Sequence, residues 1–168
     1  QRLTIAFDPP LPAAEPAEIV TTYTISDPRN GLNWTPETPD WPGRPAQIHT
    51  QGEPQTSSYW FPCHDFPNEK LTTQLTVTVP EGFLVSANGR LLSRQPAEAA
   101  GRRYETFDWL QDDPHANYLV TLVVGKFDVV DVGRGDIPMP VYVPPGRGPD
   151  VQATYGRTAD MVEFFEQR

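Results

Sequence analysis

Little in this chain could hold a metal or form a covalent staple. Among its 168 residues there is one cysteine, Cys63, and there are three histidines, His49, His64 and His115. A single thiol excludes an intrachain disulfide and leaves the redox compartment open. No HExxH motif occurs. Cys63 and His64 are adjacent, and neighbouring side chains on extended backbone point to opposite faces, so they do not converge on one ion. The expectation is that this chain binds no metal itself. A serine nucleophile elbow, a phosphate loop and a Gly-rich dinucleotide fingerprint are also lacking. Cys63 as a nucleophile would need a base and a setting that favours the thiolate; a small packed thiol is the simpler reading. Positive charge is scarce too. Lys and Arg number 13 against 22 Asp and Glu, a formal net charge of −9. That excess argues against nucleic acid and anionic membrane surfaces as partners. No run approaches the roughly 18 apolar residues of a membrane span. No targeting segment is read, and Gln1 opens directly onto a strand-like run.

What the chain has in quantity is proline, 20 residues, scattered among strand-like runs. Leu3–Phe7 and Glu18–Ser26 alternate apolar and polar residues or carry β-branched side chains, and read as strands. Asp27–Trp34 is a turn entering a short strand. Thr35–Pro45 holds four prolines and no period, so it is a surface loop. Gln47–Gln51 is a short extended piece. From Leu71 to Val79 the odd-numbered residues Leu71, Thr73, Leu75, Val77 and Val79 share one face, the clearest half-buried strand in the chain. Asn88-Gly89 between apolar runs signals a hairpin. Arg102–Leu110 is a further strand, with Pro114 stopping the piece that follows. Asn117–Val132 reads as two strands, or one bent at Gly125. A last short strand lies in Ile137–Pro145. The pattern then becomes helical: Tyr155, Ala159, Val162 and Phe165 recur on one face, with Asp150 as N-cap. The predicted fold is all-β, a saddle-like β-sandwich of about nine or ten strands followed by one C-terminal helix.

The least generic stretch is Thr50–Lys70, TQGEPQTSSYWFPCHDFPNEK. Pro54, Pro62 and Pro67 deny it a regular ladder, and its aromatic content argues for an ordered loop. Trp60 and Phe61 are expected to plug it into the core. Asp65 is expected to accept backbone N–H bonds within the loop rather than to catalyse. Gln51 and Glu53, at i and i+2, would project to one side of extended backbone. A carboxylate beside an amide oxygen suits an ammonium group; a solvated loop edge is the plainer alternative.

These residues resemble a known family pattern. Thr50, Gln51 and Glu53, then Phe61, Pro62, Cys63, Asp65, Pro67 and Lys70, then Pro80, Asn88, Gly89 and Leu91 match the N-terminal β-domain of the zinc aminopeptidases that include aminopeptidase N and leukotriene hydrolase. Tyr118, Leu119, Gly125 and Phe127 extend the likeness, which runs from about Leu3 to Val143. Ser58 or Tyr59 stands where an Arg is usual, Phe66 replaces a common Glu, and Ala87 a common Ser. The resemblance implies a β-domain over residues 1–146, then a linker and the first helix of a catalytic domain over 147–168. It implies that GxMEN, HExxH with its distal Glu and a transition-state Tyr lie beyond Arg168, so that zinc belongs to the intact enzyme with its ligands outside this chain. The implied partners are the chain's own catalytic domain and peptides with a free N-terminus. In the family, residues at the positions of Gln51 and Glu53 line the substrate pocket, the latter holding the α-ammonium.

Two other readings stand beside this one. A non-catalytic homologue would use the β-domain as a scaffold or protein-interaction module, with no need of an amine anchor at Glu53. An adhesion or carbohydrate module would want an exposed aromatic platform, for which Trp34 and Trp41 are the candidates.

Overall fold

The computed structural model describes residues 4–12, 16–40 and 43–167. Among these residues nine strands form three antiparallel sheets. The first has the order β1 (Leu32–Thr35), β2 (Gln47–Thr50), β7 (Leu122–Gly125), β4 (Leu84–Ala87). The second has β6 (Arg102–Ala116) between β3 (Lys70–Pro80) and β5 (Arg90–Ala99). The third is a ribbon of β8 (Asp128–Asp131) and β9 (Pro140–Val143).

The first two sheets meet in a sandwich. Val79 and Phe107 from one sheet pack with Val85 and Val124 from the other, and Ile48, Val77, Phe83, Leu84, Trp109 and Leu122 close around them. Each fully buried side chain of this size contributes about 1.5–3 kcal/mol over its exposed state. β3 alternates as its sequence predicts, odd-numbered residues inward and even-numbered residues exposed. On its solvent face Asp108 accepts hydrogen bonds from Gln74 Nε2 (3.0 Å) and Thr76 Oγ1 (3.1 Å), and the Thr78 and Thr106 hydroxyls meet at 2.9 Å. Such cross-strand pairs hold register at roughly 0.2–1 kcal/mol each.

Several local expectations are corrected. Residues 4–7 and 18–26 carry no strand; Leu3 lies outside the described residues. Ile5, Phe7, Ile19, Val20, Tyr23 and Ile25 stay exposed. Alternation makes a segment fit for a ladder, but a ladder also needs a partner edge, and none pairs with these segments. Asn88-Gly89 is not a hairpin turn: β4 pairs with β7 and β5 with β6, so the dipeptide is a corner between two sheets. Asn88 Nδ2 donates to the Leu119 carbonyl (3.0 Å), and its Oδ1 accepts the Thr121 N–H. The hairpin is at Ala100-Gly101, with φ of 51° and 70° joining β5 to β6. Two successive positive φ values match the twist of a two-residue hairpin, and alanine gives no sequence signal for them. Pro114 does not end its strand. It sits in a bulge of β6 between the pairs Leu71↔His115 and Thr73↔Gln111, where a missing N–H costs no ladder bond.

The tail is helical in two segments, α1 (Val151–Tyr155) and α2 (Thr158–Glu166), broken around Gly156-Arg157. Asp150 makes no side-chain capping bond; its carboxylate pairs with Arg147. Val151 and Ala159 are buried, and Arg134 pairs with Asp160, tying the β8–β9 loop to α2. Tyr155 and Phe165, on the same predicted face as Ala159, are exposed.

Three carboxylates outside the core are held below their ordinary range. Glu105 is lowered chiefly by its two bonds from Arg94 (3.0 and 2.7 Å), whose guanidinium lies 5.0 Å from the Phe107 ring. Asp112 is lowered by Arg90, and Asp131 by the N–H groups of Met139 (2.9 Å) and Gly133 (2.7 Å). A lowered folded value gives stability that is full above the unfolded value near 4 and is lost as pH falls through the folded one. Urea midpoints should therefore be flat from about pH 7 to 5 and fall below about pH 4. Glu105→Gln should flatten part of that fall; an unchanged acid limb would remove the pair from the account.

Candidate functional site

The Thr50–Lys70 stretch is ordered, and three irregular segments hold it. The first is the glycine turn before β1. Gly31 (φ 73°) accepts the Gln51 N–H at its carbonyl (2.8 Å) and lies against the Thr56 carbonyl so closely that a Cβ there would overlap it. The second is the turn Gly52–Thr56, closed by Thr56 N–H to the Gly52 carbonyl (2.9 Å) and by the Thr56 hydroxyl donating to the Gln51 carbonyl. The third is the connection between β6 and β7, where Asn117–Leu119 make one 3₁₀ turn. Leu122 N–H also donates to Thr50 Oγ1 (2.9 Å), joining the strand end to β7.

Two buried polar side chains join these pieces. Ser57 is fully buried, and its hydroxyl donates to the Asn117 carbonyl (3.1 Å). Asn117 is 2% exposed, and its Nδ2 donates to Asp65 Oδ1 (2.7 Å), with Cys63 Sγ 3.8 Å away. Asp65 Oδ2 accepts the Ser58 N–H (3.0 Å). Asp65 thus accepts loop hydrogen bonds, as expected for its place between two prolines. Burial raises the Cys63 thiol above its usual range, and Asp65 adds to that while the Asn117 contact opposes it, so the surroundings favour a neutral, packed thiol. Trp60 is buried, with Phe61 edge-on to it at 4.7 Å.

Gln51 and Glu53 are both exposed. The extended i, i+2 geometry is not what relates them. They share a turn in which Gln51 Oε1 accepts the Glu53 N–H (3.1 Å), and the Glu53–Pro54 peptide is cis. The Gln51 amide oxygen therefore has one lone pair committed and one remaining. Gly52, between them, is buried. A Cβ on it would overlap the Tyr118 carbonyl and come within 2.8 Å of Ser57 Oγ. The turn is thus pressed onto the β6–β7 connection at the one residue without a side chain.

His49 lies on β2, His64 is exposed, and His115 Nδ1 is 3.0 Å from the Asp113 carbonyl. Among the described residues no group of three or more His, Cys, Asp and Glu side chains is gathered in a way that could hold a metal ion. Trp34 is exposed on β1, and Trp41 lies outside the described residues. A groove of about 1100 Å³ lies between residues 23–29 and 58–65, lined among others by Tyr23, Ile25, Tyr59 and Trp60; Gln51 and Glu53 are not on its walls. No helix among the described residues is long and apolar enough to cross a membrane. Asn117, Ser57 and Gly52 are the residues that sequence reasoning misses. Their only signal is a small or polar residue bordering an apolar or aromatic run.

Comparison with known proteins bears on this arrangement. Residues 1–119 match the Peptidase M1 N-terminal domain. The chain is 30% identical over 134 residues to mouse (Mus musculus) aminopeptidase B, covering 79% of this chain and 19% of that protein. It is 26% identical over 121 residues to human glutamyl aminopeptidase, covering 71% of this chain and 12% of that one. Among solved structures, an M1 zinc metallopeptidase from Deinococcus radiodurans superposes with a TM-score of 0.50 at 25% identity, over 74% of this chain and 30% of the other. The chain thus spans less than a fifth of the length of these two curated relatives.

If Gly52 is a contact residue, Gly52→Ala should cost on the order of 1–3 kcal/mol through overpacking. Gly82→Ala, at φ 86° with open space around it, should cost only the left-handed backbone term of about 1–2 kcal/mol. Guanidinium melts of the two variants, read with the exchange of the Thr56 amide, check this. Thr56 should lose protection in the first variant and keep it in the second.

Proposed function

The chain belongs to the M1 peptidase family through its N-terminal domain, and from that premise we propose that it is the amine-anchoring N-terminal domain of a zinc-dependent aminopeptidase. The observation that carries this reading is the turn Gln51–Glu53. It presents a carboxylate to the outside while its backbone is tied to Gly31, to its own Thr56 and to the β6–β7 connection. A free carboxylate on a tethered turn is what an α-ammonium anchor needs: charge, open access and a fixed position. Gln51, with one amide lone pair uncommitted, adds a further acceptor beside it.

In this reading residues 1–146 form the β-domain and residues 147–168 open the catalytic domain. The exposed Met161, Phe164 and Phe165 of α2 would give that domain an apolar surface to build on. The hydrolytic chemistry belongs to a zinc ion in the catalytic domain, which supplies a Lewis acid and a bound water. No residue of this chain is assigned as its ligand. The chain's own part is to hold the substrate's amine at a fixed distance from the scissile bond, so that one residue is removed at a time. The substrates are peptides with a free N-terminus. The −9 net charge suits cationic substrates over anionic ones only weakly and within about a Debye length, because exposed charges further apart are screened.

Two experiments test this. In the full-length enzyme, Glu53→Ala should lower kcat/KM on free-amine substrates about 10- to 100-fold, the worth of a hydrogen bond to a charged group. Glu53→Gln, which keeps the hydrogen bond and removes the charge, should fall between. Unchanged kcat/KM in both would end the anchor role. The 168-residue chain alone should release no aminoacyl dye in a zinc-dependent manner; steady zinc-dependent release would refute the division of labour.

A further inference from the structure

Beyond the groups that would touch substrate, we infer that Asn117 is a positioning residue: its buried side-chain amide, with the Ser57 hydroxyl, sets the place of the Gln51–Glu53 turn. Neither residue reaches the outside. Ser57 is fully buried and Asn117 nearly so. Two bonds connect segments more than fifty residues apart in sequence, Ser57 to the Asn117 carbonyl and Asn117 to Asp65, and a local one from the Ser58 N–H to Asp65 closes the ring. The loop is a closed circuit, with Ser57 and Ser58 held at one end, Asp65 at the other and Asn117 between.

The circuit reaches the turn by contact. Ser57 Oγ is one of the atoms that fill the space a Gly52 Cβ would need, and the Tyr118 carbonyl, one residue after Asn117, is another. Gly52 stands between the two exposed side chains of the candidate site. Movement of Asn117 therefore moves the surface on which Gly52 rests, and with it the directions of Gln51 and Glu53. An apolar side chain at 117 could fill the volume. It could not donate to Asp65, whose half-buried carboxylate would lose that partner. A directional polar network fixes one arrangement where apolar packing accepts several.

This inference rests on the anchor reading for its consequence in catalysis, but its structural half stands apart from it, and the experiment separates the two. Asn117→Asp sets two carboxylates against each other at the 2.7 Å contact. Asp65→Asn combined with Asn117→Asp exchanges donor and acceptor and restores the bond. Ser57→Ala cuts the second tie with a smaller side chain, and serves if Asn117→Asp does not fold. In the 168-residue chain, amide exchange at Glu53 and Thr56 should rise at least about tenfold in Asn117→Asp and in Ser57→Ala. Val77 and Phe107 in the β3–β6 ladder should hold their protection. In the full-length enzyme KM should rise about tenfold with kcat nearly unchanged, the signature of a lost binding contact. The exchanged pair should recover both readouts. Exchange at Glu53 and Thr56 that stays at the native rate, or that rises equally with Val77 and Phe107, would overturn the inference whatever Glu53 does. The expected exchange pattern together with an inert Glu53→Ala would uphold the positioning and sink the amine anchor.

Discussion

An asparagine amide shut away from water decides the shape of the irregular half of this domain. The sandwich itself asks little of its loops, since Val79, Val85, Phe107 and Val124 would pack behind many connections. Asn117 is different. At 2% exposure its two N–H donors and its oxygen have little access to solvent, and an unmet buried donor costs about 1–3 kcal/mol, a large share of a domain's net stability. Asp65 meets it at 2.7 Å, and in doing so is fixed itself. The prolines on either side, Pro62 and Pro67, reduce the conformations Asp65 can sample, so less entropy is lost when the bond forms. The stretch is Pro-rich for a mechanical reason: it must deliver one carboxylate to one buried amide.

Legibility in the sequence follows the range of the interactions. β3 was readable because its period of two is local and its two faces differ in polarity over eleven residues. β6 and the break at Gly125 were readable for similar reasons, although Pro114 misled, because a bulge tolerates what a ladder does not. Residues 4–7 and 18–26 have the same local signal as true strands and form none, since pairing is a property of the neighbour rather than of the segment. Asn88-Gly89 shows the reverse case. Its turn chemistry was real, with φ of 80° at Gly89, but the strands on either side belong to different sheets. The hairpin that does form uses Ala100 in a left-handed conformation, a choice no propensity announces.

The candidate site divides along the same line. Gln51 and Glu53 are marked by their i, i+2 spacing and, more strongly, by a resemblance to family motifs, and the spacing argument assumes extended backbone where a turn exists. Asn117 drew none. A lone asparagine before an apolar run looks like a turn residue, and it is one, closing a 3₁₀ turn with Val120 N–H on its carbonyl (3.0 Å). What sets it apart is a side chain directed at residues 52 and 54 positions earlier, and a single sequence holds no mark of that. Cys63 and His64, the pair that first suggests chemistry, resolve into a half-buried thiol and an exposed ring.

The exposure of Glu53 carries the last step. A carboxylate and an ammonium 4 Å apart attract by about 1 kcal/mol in bulk water and by roughly 4 kcal/mol at the effective dielectric of a protein surface. In this chain Glu53 faces solvent, so an amine bound here would gain near the lower figure, too little to select a peptide end. The same carboxylate covered by a second body would gain near the higher one, provided it does not move when covered. A flexible turn would spend that difference on ordering itself, since fixing one residue's backbone costs about 1–2 kcal/mol. The ties at Gly31, Gly52 and Thr56 have already fixed it. On the proposed reading the domain is a preorganised half: the backbone that carries its carboxylate is tied while the carboxylate itself stays in water, and the missing part of its strength is dielectric, which an opposing surface would supply.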